Sequence, residues 1–219
     1  MLLGDSVLHR ASSGVRTHSL SILPMVQELL QQAGIALGDC AAIAYGCGPG
    51  SFTGVRTACG IAQGLAFGAA LPVVPVVTLA AMALACRQRT GTDEVLAVLD
   101  ARMGEVYWAQ YAFDAAGGCQ ILVAPTLSAP GEVRQPDLSG QVVACGNGLA
   151  AYADAFEGWT CPMQPDIMPH AIEIGQLARS AFRAGLVLSA AQAQPLYLRN
   201  KIAYTSAERL ALRAAQDGA

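Results

Sequence analysis

Apolar residues recur at helical spacing near the start of the chain. The segment 20–33 carries one apolar stripe, formed by Ile22, Met25, Val26, Leu29, Leu30 and Ala33. This spacing is typical of an amphipathic helix, and Gly34, directly after it, is the usual residue just past a helix C-terminus. The pattern therefore predicts a first helix over 20–33, with Pro24 in its first turn or at a kink.

A second helix is predicted over 53–69, and it is apolar nearly all round. One stripe of it combines small and apolar residues: Thr57, Gly60, Ile61, Gly64, Leu65 and Gly68. Because Gln63 is its main polar residue, the helix must be covered on more than one side. Each interior glycine costs roughly 0.8–1 kcal/mol relative to alanine, and close approach of another backbone would offset that cost. That backbone belongs either to the first helix or to a second chain.

Strand-like runs alternate with helical segments along the rest of the chain. Strands are predicted at 2–10, with a turn at Gly4 and Asp5, and at 41–45, 73–77, 95–99, 105–113, 119–123, 142–145 and 195–199. Further helices are predicted at 79–87, capped by Thr78, after Gly148, at 169–185 and at 207–215. The alternation predicts an α/β fold with mixed sheets. A polar break after Arg87 predicts an N-terminal lobe, 1–90, a C-terminal lobe, 94–202, and a terminal helix or tail, 203–219.

A glycine-rich segment joins the strand at 41–45 to the second helix. A strand, a glycine turn and a helix N-terminus in this order can cradle an anion. The spacing departs from the Walker loop and the dinucleotide fingerprint and from the nucleophile elbow. The segment is therefore either a tight turn in which Ser51 or Thr53 caps the helix, or a ligand loop. The residues of that loop would be Gly46, Gly48, Pro49, Gly50, Ser51, Phe52, Thr53, Gly54 and Arg56.

Composition narrows the classes of function. Of 219 residues, 53% are hydrophobic and 13% are charged, and such an apolar excess favours a protein partner that covers an apolar surface. The net charge is −3 and the basic residues are dispersed, which argues against binding nucleic acid without help. Residues 57–86 carry no charge, but their glycines and prolines favour helix, strand and helix over a membrane span.

Cysteine and histidine usage indicates a protein of a reducing compartment with no metal centre. The seven cysteines are odd in number and include no C-x-x-C pair, so free thiols are expected. The three histidines, His9, His18 and His170, are too dispersed to form a metal cluster. No signal peptide is expected at the start of the chain, and the expected location is the cytoplasm.

Four segments together resemble the TsaB family, which acts in threonylcarbamoyladenosine synthesis on bacterial tRNA. They are the glycine-rich segment 44–56, Gly64-Leu65-Ala66, Asp100-Ala101-Arg102-Met103-Gly104-Glu105-Val106-Tyr107 and Pro195-Leu196-Tyr197-Leu198-Arg199. The resemblance covers residues 1–202. It implies a two-lobe actin-like (ASKHA) fold and a non-catalytic relative of TsaD, the subunit that transfers threonylcarbamoyl to adenosine 37 of tRNA.

The resemblance also implies partners. It implies a heterodimer with TsaD, a ternary complex in which TsaE joins with ATP, and contact with tRNA only through the complex. Nucleotide and metal are expected on the partner subunits, with no cofactor intrinsic to this chain, and the chain alone is either a monomer or a homodimer. The implied interface residues lie on both predicted helices: Ile22, Met25, Val26, Leu29, Gly60, Ile61, Gly64, Leu65, Phe67 and Gly68.

One departure from the family pattern concerns the first strand. The family normally opens with a strand carrying a D-T pattern, whereas this chain is expected to begin at about the second strand. Unless another segment fills the gap, the neighbouring strands would expose backbone donors and acceptors. Lower stability and weak ATP binding by the N-terminal lobe are therefore expected.

Two residues raise other interpretations. Asp100 ends a predicted strand where actin-like folds orient the metal of a nucleotide, and Arg102 is expected to neutralise it, which gives the pair a structural role. Cys47 would be the nucleophile of a glycoprotease-like peptidase. An ATP-dependent kinase of the actin-like superfamily is the other alternative, and residual ATPase activity stays open with it.

Overall fold

A computed structural model describes residues 1–12, 18–115, 117–135 and 142–199. In chain order its strands and helices are β1 (Leu2–Leu3), β2 (Ser6–Val7), α1 (His18–Ala33), β3 (Ile43–Gly48), α2 (Phe52–Gly68), β4 (Val73–Val77), α3 (Thr78–Thr90), β5 (Glu94–Arg102), β6 (Glu105–Phe113), β7 (Cys119–Ser128), β8 (Val142–Cys145), α4 (Gly148–Ala151), β9 (Met163–Gln164) and α5 (Ala171–Arg183). The helix predicted at 207–215 and the tail lie outside the described residues.

The described strands form three sheets. β1 and β2 make an antiparallel hairpin, β3 and β4 pair in parallel, and the third sheet has the order β7-β6-β5-β8-β9. The strands predicted at 95–99, 105–113 and 119–123 form the antiparallel run β5-β6-β7, and β8 and β9 extend it with parallel pairing. The prediction of an α/β fold with mixed sheets flanked by helices is confirmed.

The five-stranded sheet is covered on both faces. Successive side chains of a strand point to opposite faces, and β5 shows this alternation. Val95, Ala97 and Leu99 face a cluster that includes α3, whereas Leu96 and Val98 face a cluster that includes α4. The run from Val95 to Leu99 is therefore apolar without a break because neither face of this strand meets water.

The β3–β4 sheet is also covered by helices. Tyr45 and Cys47 of β3 pack against Cys59, Ala62 and Ala66 of α2. On β4, two valines pack with residues of α3 and α5 in a cluster formed by Val74, Val76, Ala81, Ile174 and Ala178. Helix α3 directly follows β4 and packs on the five-stranded sheet, so its buried side chains connect the two sheets. The lobe boundary predicted after residue 90 stays a prediction.

Several predicted helix ends are wrong. Thr78 is the first residue of α3 and not its cap, since Val77 holds the N-cap position without a side-chain cap bond. Pro24 lies in the interior of α1 because the helix begins two residues earlier than predicted, at His18. Pro169 precedes α5, whose N-cap is His170. Caps and first turns depend on local geometry that apolar spacing does not encode.

The segment 195–199, predicted as a strand, is not a strand and belongs to none of the described sheets. Pro195 lacks a backbone N–H and so donates no hydrogen bond to a neighbouring strand. The N–H of Leu196 donates instead to the carbonyl oxygen of Cys47, at 2.7 Å. The segment therefore binds the end of β3 by isolated contacts.

The β1–β2 hairpin packs near α5. A Cβ at Gly175 would lie 3.3 Å from the side chain of Leu2, and Arg179 donates to the carbonyl oxygen of Gly4 at 2.9 Å. Among the described residues, no strand pairs this hairpin with β3. The hairpin is thus held to the β3–β4 region through α5.

Candidate functional site

The glycine-rich segment runs from β3 into the first turn of α2. Ser51 is the N-cap residue of α2, and its Oγ accepts a hydrogen bond from the N–H of Gly54 at 3.2 Å. A Cβ at position 54 would lie 2.7 Å from that oxygen, so glycine leaves room for the cap. Of the two predicted caps, the structure selects Ser51.

Gly48 needs to be glycine on two grounds. Its φ is +114°, and a Cβ there would lie 2.9 Å from the carbonyl oxygen of Leu196. Gly46 lies against Ile174 and Thr78, and Pro49 is buried, whereas Gly50 is half-buried beside Val55. The buried part of the loop is therefore packed by the chain itself, and the part from Ser51 to Gly54 is exposed.

Arg56 joins the exposed part of this loop to the end of the described chain. Its guanidinium lies 3.7 Å from the centroid of the Phe52 ring, and its Nε donates to the Tyr197 hydroxyl at 2.6 Å. The two aromatic rings lie 5.9 Å apart. These contacts fix the first turn of α2 to the segment that follows Pro195.

Cys47, the predicted nucleophile of the peptidase alternative, lies on the buried face of β3. It is 7% exposed, and burial raises the pKa of its thiol to about 11. A reactive cysteine needs a lowered pKa and access to solvent. The site therefore does not favour the peptidase.

We expect Cys47 to resist alkylation in the folded protein. At pH 8 a thiol with a raised pKa is almost wholly protonated, so reaction with iodoacetamide should be at least about 100-fold slower than in the urea-unfolded chain. Peptide mass spectrometry after timed labelling measures both rates. Labelling of native Cys47 as fast as in the unfolded chain would contradict its burial and restore the peptidase as a candidate.

Asp100 organises the turn between β5 and β6. Its Oδ1 accepts hydrogen bonds from the backbone N–H of Arg102 at 2.7 Å and from the Tyr152 hydroxyl at 3.0 Å. Burial, and then the Asp100 carboxylate, raises the pKa of Tyr152, so the hydroxyl stays a donor. The expected ion pair with the Arg102 side chain is absent among the described residues; the carboxylate binds the backbone N–H of Arg102 instead.

The turn that Asp100 holds is strained. Arg102 and Met103 have φ values of 60° and 59°, in the left-handed region that costs a non-glycine residue about 1–2 kcal/mol. Such a conformation persists only where surrounding contacts hold it. Arg199 supplies further contacts, because its guanidinium reaches the carbonyl oxygen of Arg102 and the carboxylate of Glu105.

The outward face of α2 is open and apolar. Its buried side is formed by Val55, Cys59, Ala62 and Ala66. Opposite them, Gly60, Gly64 and Gly68 are exposed, and a Cβ at any of the three would meet no atom within 4 Å. Phe67, beside them, is 82% exposed, while the predicted residues Ile61 and Leu65 are half-buried at the border of this face.

The exposed glycines do not support the alternative in which the first helix of the same chain covers them. A purely intramolecular contact with α1 would place atoms of α1 against the glycines, and no described atom lies within 4 Å of a Cβ built at any of the three. We call the surface formed by Gly60, Gly64, Phe67 and Gly68 the glycine face. Its shape permits another helix to approach the backbone of α2 closely.

The predicted residues of α1 are only partly covered. Ile22, Met25, Val26 and Leu29 are half-buried, and no described residue of α1 belongs to the four clusters of buried apolar side chains. Leu20 and Leu23, which the stripe did not include, are 77% and 51% exposed. Two leucines beside the predicted stripe could have indicated a wider apolar surface on α1. The helical spacing that defined the stripe left them out.

Two structural searches concern metals and membranes. In the ranges that the structure describes, no group of three or more His, Cys, Asp or Glu residues is placed to hold a metal ion. No described helix combines the length and the apolar character needed to cross a bilayer.

Comparison with known proteins gives consistent matches over most of the chain. Residues 4–215 match the family described as TsaD, tRNA N6-adenosine threonylcarbamoyltransferase. The chain is 42% identical over 193 residues to the tRNA threonylcarbamoyladenosine biosynthesis protein TsaB of Escherichia coli K12, covering 86% of this chain and 84% of the relative. It is 36% identical over 196 residues to TsaB of Haemophilus influenzae, covering 86% and 83%.

Solved structures agree with these relatives. YeaZ from Pseudomonas aeruginosa superposes with a TM-score of 0.79 at 38% identity, over 84% of this chain and 85% of that one. A second crystal structure from the same organism, described as similar to the peptidase YeaZ, superposes with the same TM-score and coverage.

Proposed function

The chain belongs to the TsaB family of tRNA threonylcarbamoyladenosine biosynthesis proteins, and from this premise we propose that it is a non-catalytic subunit that binds and orients TsaD. The reaction it serves is the formation of N6-threonylcarbamoyladenosine at adenosine 37 of tRNA. Its contribution is an interface, and the chemistry belongs to TsaD.

The glycine face of α2 is the observation that carries this proposal. It is exposed, free of charge and lined by three glycines at successive turns. An apolar surface of this kind on a monomer marks an interaction site. Without side chains at three positions, a partner helix can come within close backbone contact, and Phe67 at the edge can enter a pocket on that helix.

The apolar stripe of α1 supports an interface that extends beyond α2. Its residues Ile22, Met25, Val26 and Leu29 remain half-exposed in the chain alone. Burying these residues together with the glycine face would remove more apolar surface from water than burying one of the two surfaces alone. A contact of two helices from each subunit is the arrangement that we propose.

Two observations support a non-catalytic role. Cys47 is buried with a raised pKa, and the Asp100 carboxylate is occupied by Tyr152 and by the backbone of Arg102. Cys47 is therefore out of reach of a substrate, and Asp100 has a structural role in the turn between β5 and β6. In this proposal TsaE joins the complex through TsaD, with ATP, and the nucleotide and metal lie on the partner subunits. The assembled complex binds tRNA and works in the cytoplasm.

The test is light scattering on a size-exclusion column. The chain is run alone and then mixed with TsaD from the same source. We expect a complex whose mass is the sum of one copy of each, because the glycine face has one partner helix to bind. The mass of the chain alone decides between a monomer and a homodimer.

Two outcomes would overturn the proposal. One is the absence of any complex at micromolar concentrations of both folded proteins. The other is a stable homodimer that does not exchange into a complex with TsaD. In either case the family membership would stand, and the role assigned to the glycine face would not.

A further inference from the structure

Residues 194–199, which we call the strap, contact two parts of the molecule. At one end lie β3 and the first turn of α2. At the other lies the strained turn between β5 and β6. The strap forms hydrogen bonds at both ends.

The first end of the strap is fixed to β3. The Tyr45 hydroxyl donates to the carbonyl oxygen of Gln194 and accepts from its N–H, both at 3.1 Å. The N–H of Leu196 donates to the carbonyl oxygen of Cys47 at 2.7 Å. Gly48 has no side chain where Leu196 passes, so the strap lies directly on the glycine loop.

The middle of the strap is fixed to α2. The Tyr197 hydroxyl accepts from Nε of Arg56 at 2.6 Å, and the Tyr197 ring lies against Phe52. Both partners belong to the first turns of α2, the helix that carries the glycine face. A shift of the N-terminal end of α2 would therefore displace Tyr197.

The far end of the strap holds the turn between β5 and β6. Arg199 donates from Nη2 to the carbonyl oxygen of Arg102 at 3.2 Å and to the carboxylate of Glu105 at 2.5 Å. Its Nη1 contacts the sulfur of Met103 at 3.0 Å. The side chain of Arg199 is 15% exposed, so these contacts are mostly shielded from water.

We propose that the strap couples partner binding on α2 to the conformation of the turn formed by Arg102, Met103 and Gly104. The inference rests on the proposed function and names a form of regulation for the same site. A partner that fixes α2 also fixes Tyr197, and through Arg199 it holds the turn in its left-handed conformation. By linkage, if partner binding stabilises the left-handed turn by some factor, the left-handed turn raises the affinity for the partner by that factor.

The turn is suited to this role because its backbone is strained and can relax to another conformation. Its two left-handed non-glycine residues depend on outside contacts to stay as they are, and Arg199 provides contacts to both. Asp100 holds the turn from the other side through the N–H of Arg102. Loss of the strap contacts would leave the turn with fewer contacts to hold it, and its backbone would open more often.

Hydrogen exchange measured by mass spectrometry on the full chain tests the coupling. Exchange at 101–106 is compared with and without saturating TsaD, in wild type and in Arg199→Ala and Arg199→Lys. In wild type we expect TsaD to slow exchange at the turn. Both variants should lose that slowing, and their affinity for TsaD should fall about fivefold.

Arg199→Lys keeps a positive charge beside Glu105 but cannot make the forked contacts, so it remains informative if Arg199→Ala unfolds. Arg183→Lys, at the exposed end of α5, is the matched control and should behave as wild type. Thermal unfolding confirms that each variant is folded before its exchange is read.

The outcomes separate this inference from the proposed function. If wild type binds TsaD and exchange at 101–106 does not change, the coupling is overturned and the proposed function stands. If both Arg199 variants bind as wild type and keep the slowing, the strap is not the route and the inference is overturned. If wild type does not bind TsaD at all, the proposed function fails and the inference fails with it.

Discussion

Gly64→Arg is expected to abolish binding to TsaD and to leave the chain folded. A Cβ at position 64 would meet no atom of the described residues within 4 Å, and arginine favours a helix more than glycine does by several tenths of a kcal/mol, up to about 1. In the complex, however, the same side chain would hold the two helices apart and bury an unpaired charge, which costs several kcal/mol. We expect binding to weaken by at least about 100-fold.

Calorimetric titration with TsaD measures the affinity, and thermal unfolding measures the stability. Ser180→Arg adds the same charge to the exposed side of α5, and it should bind as wild type. Gly64→Ala should stabilise the chain alone by about 0.8–1 kcal/mol and bind more weakly than wild type. Tight binding by a folded Gly64→Arg would show that the partner covers another surface.

The strands that the sequence predicts best have a glycine or proline directly at one end. Val73–Val77, Glu105–Phe113 and Val142–Cys145 have the predicted bounds. Each is rich in β-branched or aromatic residues, and each lies next to a glycine or proline turn. In such a run, local propensity and tertiary packing favour the same structure.

The strap is the part of the molecule that the sequence describes worst. The run Pro195-Leu196-Tyr197-Leu198-Arg199 alternates apolar and polar residues as a strand does, and the structure gives it no sheet partner. Several hydrogen bonds of the strap go to Tyr45, Cys47 and Arg56, which lie more than 140 residues earlier in the chain. Apolar periodicity contains no information about contacts at that distance.

The candidate interface could be predicted in part. Helical spacing placed Gly60, Gly64 and Gly68 on one stripe, and the structure leaves that stripe uncovered. Spacing could not decide whether another segment of the same chain covers it, because buried and interface faces are both apolar. The exposure of Leu20 and Leu23 was missed because both residues lie off the apolar stripe that the spacing defines.

Gly146→Ala is expected to destabilise the whole fold. Gly146 has a φ of +109°, and a Cβ there would fall inside the van der Waals radii of the Val98 carbonyl oxygen and the Met82 methyl group. The backbone of Val98 cannot retreat, since it lies in the central strand of the five-stranded sheet. Overpacking and backbone strain together should cost about 3 kcal/mol or more and lower the melting temperature by about 10 °C.

The effect should reach beyond the substituted position because Gly146 lies where α3, β5 and β8 meet. Met82 belongs to the cluster that packs α3 on the five-stranded sheet, so displacing it loosens the connection between the two sheets. Gly131→Ala, where a Cβ meets nothing within 4 Å, is the matched control and should melt within about 2 °C of wild type. A Gly146→Ala protein that melts with that control would show that β8 and α3 separate without cost, contrary to the packing described.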